Sequence, residues 1–121
     1  MEYLNRNTGT DLDLPDMNSG DAYAWVAAVL AFGVGDIVTT TVGVLDYGLP
    51  EINPFYATLF DATGTVLPVL LVTKAVGFVL LWELYLRMDS HAGAVPVGVA
   101  LIGLVITLLN AAALLVAGGV L

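Results

Sequence analysis

Residues 33–54 read GVGDIVTTTVGVLDYGLPEINP, and this stretch decides the fold. It begins inside an apolar segment and ends in a Gly- and Pro-marked loop. It places Asp36, Thr39 and Thr40 where a bilayer-spanning helix should carry apolar groups, then delivers Glu51, Asn53 and Pro54 just beyond it. An ionisable side chain at membrane depth is expensive, so it calls for a partner and a role.

The segment around it, about residues 22–45, is long enough to span. About 24 residues at 1.5 Å each give some 36 Å, against a hydrocarbon core of roughly 30 Å. Tyr23, Trp25 and Tyr47 stand at its ends, where interfacial aromatics belong. Gly33, Asp36, Thr40 and Gly43 recur at spacings of three and four, while Ala27, Val34, Val38 and Leu45 occupy the opposite side. Small and polar groups on one stripe let another helix approach closely and hydrogen-bond across the contact. The stripe is therefore expected to face protein and its opposite side lipid.

Two further spans follow. The second covers about 66–87, with Thr65 as a candidate N-cap, Lys74 deep in the apolar run and Gly77 giving a thin face beside it. Glu83 and Arg87 form an i,i+4 pair at its end, read as an interfacial surface pair. The third covers about 95–121 and carries Ala100, Gly103, Thr107, Asn110 and Ala117 near one face. Between the first two spans, Asn53-Pro54 is an N-cap and first-turn signal. It opens a short interfacial or re-entrant helix over about 54–61, with Phe55, Leu59 and Phe60 expected to dip into lipid. Residues 1–20 are polar and acidic and read as a mobile tail, leaving 21–121 as the transmembrane domain; Asn18, Ser19 or Asp21 is placed to cap the first helix. The fold class expected is all-α, with three transmembrane helices.

Composition agrees and excludes. The 121 residues are 59% hydrophobic and only 12% charged, with a mean hydropathy of +0.92. A soluble domain carries about 25% charged residues. There are no cysteines, which removes disulfides and thiolate chemistry, and the one histidine, His91, lies in the short second link without a ligand set. Eleven acidic against three basic residues give a net charge of −8, which argues against nucleic acid as a partner and fits a high-salt organism. The basic residues Arg6 and Arg87 place the N-terminus and second link in the cytoplasm, and hence the first link and the C-terminus outside a cell membrane.

Depth ties the polar groups together. Asp36, Lys74 and Asn110 lie about nine, eight to nine, and eleven residues below the outer ends of their spans, roughly 12–17 Å down at 1.5 Å per residue. Asp36 and Lys74 are therefore expected to pair, with Thr39, Thr40, Thr107 and Asn110 supplying further hydrogen bonds. Glu51 and Asn53 would cap the outer side of this layer. Three thin helices are not expected to surround such a cluster alone, which points to a homo-oligomer or a larger membrane complex.

The pattern D-x-x-T-T (Asp36, Thr39, Thr40), G-x-x-E-x-N-P (Gly48, Glu51, Asn53, Pro54) and a Lys in the next span (Lys74) resembles a family of small membrane proteins. That family is a domain of unknown function common in haloarchaea and also seen in bacteria. The resemblance runs from Gly33 to about Asn110 and leaves out the acidic tail. It implies a three-helix integral membrane protein from a salt-loving archaeon, and it implies no activity.

Three roles follow, in this order. The first is a structural or accessory subunit, with Gly33, Gly43, Gly77, Gly103 and Thr107 as helix-packing positions. The second is an ion or proton conduit or transporter component using Asp36, Lys74 and Glu51. The third is a lipid-active membrane enzyme. It ranks last, because no nucleophile elbow, metal triad, phosphate loop or twin-carboxylate signature is present. The chain is expected to be no enzyme, to use no metal or cofactor, and to have membrane lipid and other membrane subunits as its partners.

Overall fold

The computed structural model describes residues 17–121, and these form helices and short links with no strand. Helix α1 runs Ser19–Asp46, α2 is Pro54–Thr63, α3 is Leu67–Arg87 and α4 is Ala94–Ala117. Helices α1, α3 and α4 are each long and apolar enough to cross a membrane. The expected tail falls mostly outside the described residues; from Asn18 onward the chain is already entering α1, and the Asn18 side chain accepts the Asp21 N–H at 2.7 Å as the N-cap.

The three spans run up, down, up. Helix α1 lies antiparallel to α3, where Asp21 meets Tyr85, Phe32 meets Phe78 and Asp36 meets Lys74. It lies parallel to α4, where Thr107 reaches Ala31 and Asn110 reaches Asp36. Among the described glycines the tightest approach is at Gly103 of α4. A Cβ there would fall on Phe32 N and 2.5 Å from Phe32 Cα. Gly35 is matched by Thr107, whose Oγ1 lies 2.7 Å from where a Cβ would sit, and a Cβ on Gly33 would sit 3.3 Å from the Phe78 ring. Small residues replace side-chain volume with backbone contact, which holds helices together where lipid is as apolar as they are. Gly43 has ordinary van der Waals contact with Leu114 and Leu49. Gly77 departs from expectation: a Cβ there would meet nothing within 4 Å, so it packs no helix of its own chain.

Helix α1 is not uniformly wound. It widens to π turns at Val29–Gly35 and Val42–Asp46. In the first, the Asp36 N–H reaches back five residues to the Ala31 carbonyl. That carbonyl also accepts the Thr107 hydroxyl at 2.9 Å. Wide turns of this kind are uncommon and often mark functional sites.

Helix α2 starts as the sequence signals. Asn53 accepts the Phe55 N–H at 2.9 Å, Pro54 occupies the first turn, and Gly64 closes the helix at φ +69°, a conformation that costs a side chain energy. It runs two residues beyond the expected end at Asp61. One expected lipid contact is reversed. Phe60 is buried with Val66 and Leu70, packed by Ile37, Val44, Tyr56 and Val69. Its ring stacks on Tyr56, whose hydroxyl lies 3.2 Å from that of Thr73 on α3. Phe55 does stay exposed. So α2 is pinned to α3 by one aromatic face and shows the other outward.

Three smaller expectations change. Val66 takes the N-cap place of α3 without a side-chain bond, because the Thr65 hydroxyl is turned to Thr63 at 3.1 Å. Helix α4 stops at Ala117, where Gly119 turns to φ +77° and Val120 N–H folds back on the Leu115 carbonyl. Ala117 itself is exposed rather than on the packed face. The outward-facing surface is apolar, as Val34, Val38, Leu45, Val72, Leu80, Leu101 and Leu109 illustrate.

Candidate functional site: a polar layer inside the spans

Three spans place one strong polar group each in a single layer. Lys74 Nζ donates to Asp36 Oδ2 at 2.7 Å. The other carboxylate oxygen, Oδ1, accepts from the Thr40 hydroxyl and from Asn110 Nδ2, both at 3.0 Å. Asn110 Nδ2 also lies 3.0 Å from Thr39 Oγ1 and 3.2 Å from Thr40 Oγ1. An amide oxygen in that position would face the carboxylate, so the network fixes the amide orientation. Thr39 donates its own hydroxyl to the Gly35 carbonyl at 2.8 Å. The layer is thus a closed circuit: carboxylate, ammonium, amide and two hydroxyls.

The local chain explains each position. Thr40 stands one turn beyond Asp36 on the same face of α1, and Phe32 one turn before it. Phe32 joins the site without being marked by its residue type: its ring lies 3.4 Å below Lys74 Nζ and offers a cation–π contact. Its signal is the same helical stripe that holds Asp36 and Thr40. Gly35, equally unmarked, makes room for Thr107.

The pair is enclosed by its own chain. Asp36 is 6% exposed and Lys74 4%. Against expectation, three helices bury the pair at the centre of the cluster, while Thr39, Thr40 and Asn110 stay half-buried, and the physical reason is visible. Backbone contact at Gly103 and the seating of Thr107 against Gly35 draw α4 against α1, and the Phe32 ring lies against Lys74.

Glu51 and Asn53 lie outside the circuit. Glu51 Oε1 accepts the Asn53 N–H at 2.8 Å, a local turn bond. Both residues nevertheless line a cavity of about 440 Å³ that has Asp36, Lys74 and Asn110 at its inner end and Phe55 and Tyr56 on its wall. A second cavity of about 240 Å³, lined by Thr39, Gly43, Leu49 and Ala113, also borders Glu51 and Asn110.

At the opposite end a second cluster closes the bundle. Tyr85 donates to Asp21 Oδ2 at 2.7 Å, and Trp25, Trp82 and Tyr85 contact one another with ring centroids 5.4–5.5 Å apart. Glu83 and Arg87 meet at 3.5 Å on the surface, with both side chains more than half exposed. Such a pair adds little stability.

Three apolar helices locked by a buried polar layer define a small multi-pass membrane protein. The family described as a domain of unknown function (DUF5658) matches residues 27–116, and the chain belongs to it. The match includes all of the polar layer. The chain is also similar to a viral protein, the "Putative transmembrane protein ORF13" of a virus of isolate Australia/Victoria, at 32% identity over 89 residues, which is 73% of this chain and 88% of the viral protein. No solved structure matches it.

Proposed function

We propose that the chain is a structural or accessory subunit of a cell membrane, assembling with copies of itself or with other membrane subunits, and that it is not an enzyme. The observation that carries the structural half of this reading is the self-sufficiency of the polar layer. Asp36, Lys74, Asn110, Thr39 and Thr40 bond one another inside one chain, so the layer acts as a lock on helix register. Gly77 supports the assembly half, because its thin face meets nothing within its own chain and is open to another helix. The acidic balance supports a salt-loving host of the haloarchaeal kind, whose members would share the Asp36, Thr40, Glu51, Asn53, Pro54 and Lys74 pattern. The N-terminus and the 88–93 link face the cytoplasm and the C-terminus faces outside, on the strength of Arg6 and Arg87.

The test is extraction in a mild detergent followed by native mass measurement. A complex larger than one 12.6 kDa chain is expected, and Gly77→Leu should disperse it while leaving helix content unchanged. A monomer in every mild detergent tried would overturn the assembly role. Gly103 is no use as a probe, since it packs against Phe32 of the same chain.

One observation favours a second reading, an ion or proton conduit. The larger cavity runs between Glu51 and the Asp36–Lys74 pair. Flux into liposomes that is unchanged in Asp36→Asn would remove it.

A further inference from the structure

The larger cavity has a charge pattern that the polar layer does not use. At its inner end the Asp36 carboxylate is fully engaged by Lys74, Thr40 and Asn110, and the Lys74 ammonium is held between that carboxylate and the Phe32 ring. That end is neutral as a unit. At the other end stands Glu51. One of its oxygens takes the Asn53 N–H, and among the described residues the carboxylate has no ion-pair partner. The lining therefore carries one uncompensated negative charge. The wall beside it is aromatic and aliphatic: Phe55 and Tyr56, packed edge to face at 5.4 Å, with Ile52, Ile106 and Leu109.

We propose that this cavity binds a small organic monocation, a quaternary or protonated amine with an apolar body. The Glu51 carboxylate supplies the counter-charge, and the aromatic wall of Phe55 and Tyr56 supplies π surface, one face of Tyr56 being taken by Phe60; such surface attracts alkylammonium groups. The volume of about 440 Å³ lies in the range of small-molecule sites, and the mixture of apolar walls with a few polar groups is their usual chemistry. A hard divalent metal does not fit, because no three His, Cys, Asp or Glu side chains come together among the described residues. An anion does not fit, because the one ammonium in the lining is already paired. The inference requires neither assembly nor transport, so it stands or falls apart from both.

Benzyltrimethylammonium is a suitable probe, with neopentylbenzene as its uncharged isostere. Binding is measured by calorimetry on the detergent-solubilised chain, with empty micelles as blank. The cation should bind saturably and the isostere at least about tenfold more weakly, the equivalent of about 1.4 kcal/mol. Glu51→Gln should weaken the cation about tenfold without changing helix content, and Phe55→Leu should weaken it several-fold. Phe55 is exposed and caps nothing, so it carries the test if Glu51→Gln fails to fold. Equal binding of cation and isostere, undiminished binding by both variants, or no saturable binding would overturn the proposal. The same titration in phosphatidylglycerol nanodiscs, with and without phosphatidylcholine, separates the sources of the cation. Competition by phosphatidylcholine assigns the site to a lipid trimethylammonium headgroup, and undisturbed binding assigns it to a free amine.

Discussion

Breaking the Asp36–Lys74 pair from one side should cost far more than removing both partners. Lys74→Met leaves a carboxylate 6% exposed with only two neutral donors, Thr40 and Asn110. Asp36→Asn leaves an ammonium 4% exposed with little but the Phe32 ring and an amide. Stranding one member of a buried pair typically costs about 3–5 kcal/mol. An independent bound agrees: a stranded charge can escape by neutralising, and at neutral pH this costs about 4–5 kcal/mol for an ordinary carboxylate or ammonium. Each single variant should therefore lose a factor of about 10²–10³ or more in its folding equilibrium. The Asp36→Asn, Lys74→Met double variant strands no charge, and should recover about half or more of the summed loss. The assay is unfolding by sodium dodecyl sulfate in mixed micelles, followed by circular dichroism. Losses that simply add in the double variant would show that the two groups are energetically independent, and would refute the claim that the layer is a lock.

Other substitutions separate packing from open space. Gly103→Ala drives a Cβ into the Phe32 backbone and should cost about 1–3 kcal/mol by the same assay, whereas Gly77→Ala should be neutral or stabilising by up to about 1 kcal/mol. Thr107→Val removes the hydroxyl from the Ala31 carbonyl, which keeps the Asp36 N–H; a loss of about 1 kcal/mol is expected, with faster amide exchange at Asp36 by nuclear magnetic resonance. Asn53→Ala removes the cap of α2 and should cost about 1 kcal/mol, read as increased proteolysis in the 47–53 link.

Much of this architecture is legible in the chain because membrane spans obey few rules. Length and hydropathy mark three of them, and Asn53-Pro54 and Gly64 frame the short helix by turn chemistry alone. The matched depth of Asp36, Lys74 and Asn110 is also legible, since depth is a distance along one axis. Azimuth is another matter. Residues on both sides of α3 are apolar, so nothing local distinguishes Gly77, which faces outward, from Phe78, which packs on Gly33 and Phe32. Phe60 looks like any lipid-seeking aromatic until Val66 and Leu70 are folded over it. Closure of the layer by one chain is illegible for a related reason. How near two helices come depends on which small residues face each other, and the pairing of Gly103 with Phe32 and of Gly35 with Thr107 joins residues far apart in sequence.

The wide turns of α1 have a consequence for how this chain can vary. A π turn accommodates one more residue than an α turn, so Val29–Gly35 sets the rotational phase between the two ends of the helix. At one end Asp21 and Trp25 must reach Tyr85; at the other Asp36 must reach Lys74. Deleting one residue within the wide turn would restore regular winding with both ends still in phase, whereas adding or removing one in the regularly wound part of α1 would swing one end by about 100° relative to the other. Either the aromatic clasp or the charged pair would then face lipid. The wide turn is thus the place where α1 takes up one residue without turning Asp36 away from Lys74, while Phe32, Gly33 and Gly35 within it are held by their contacts.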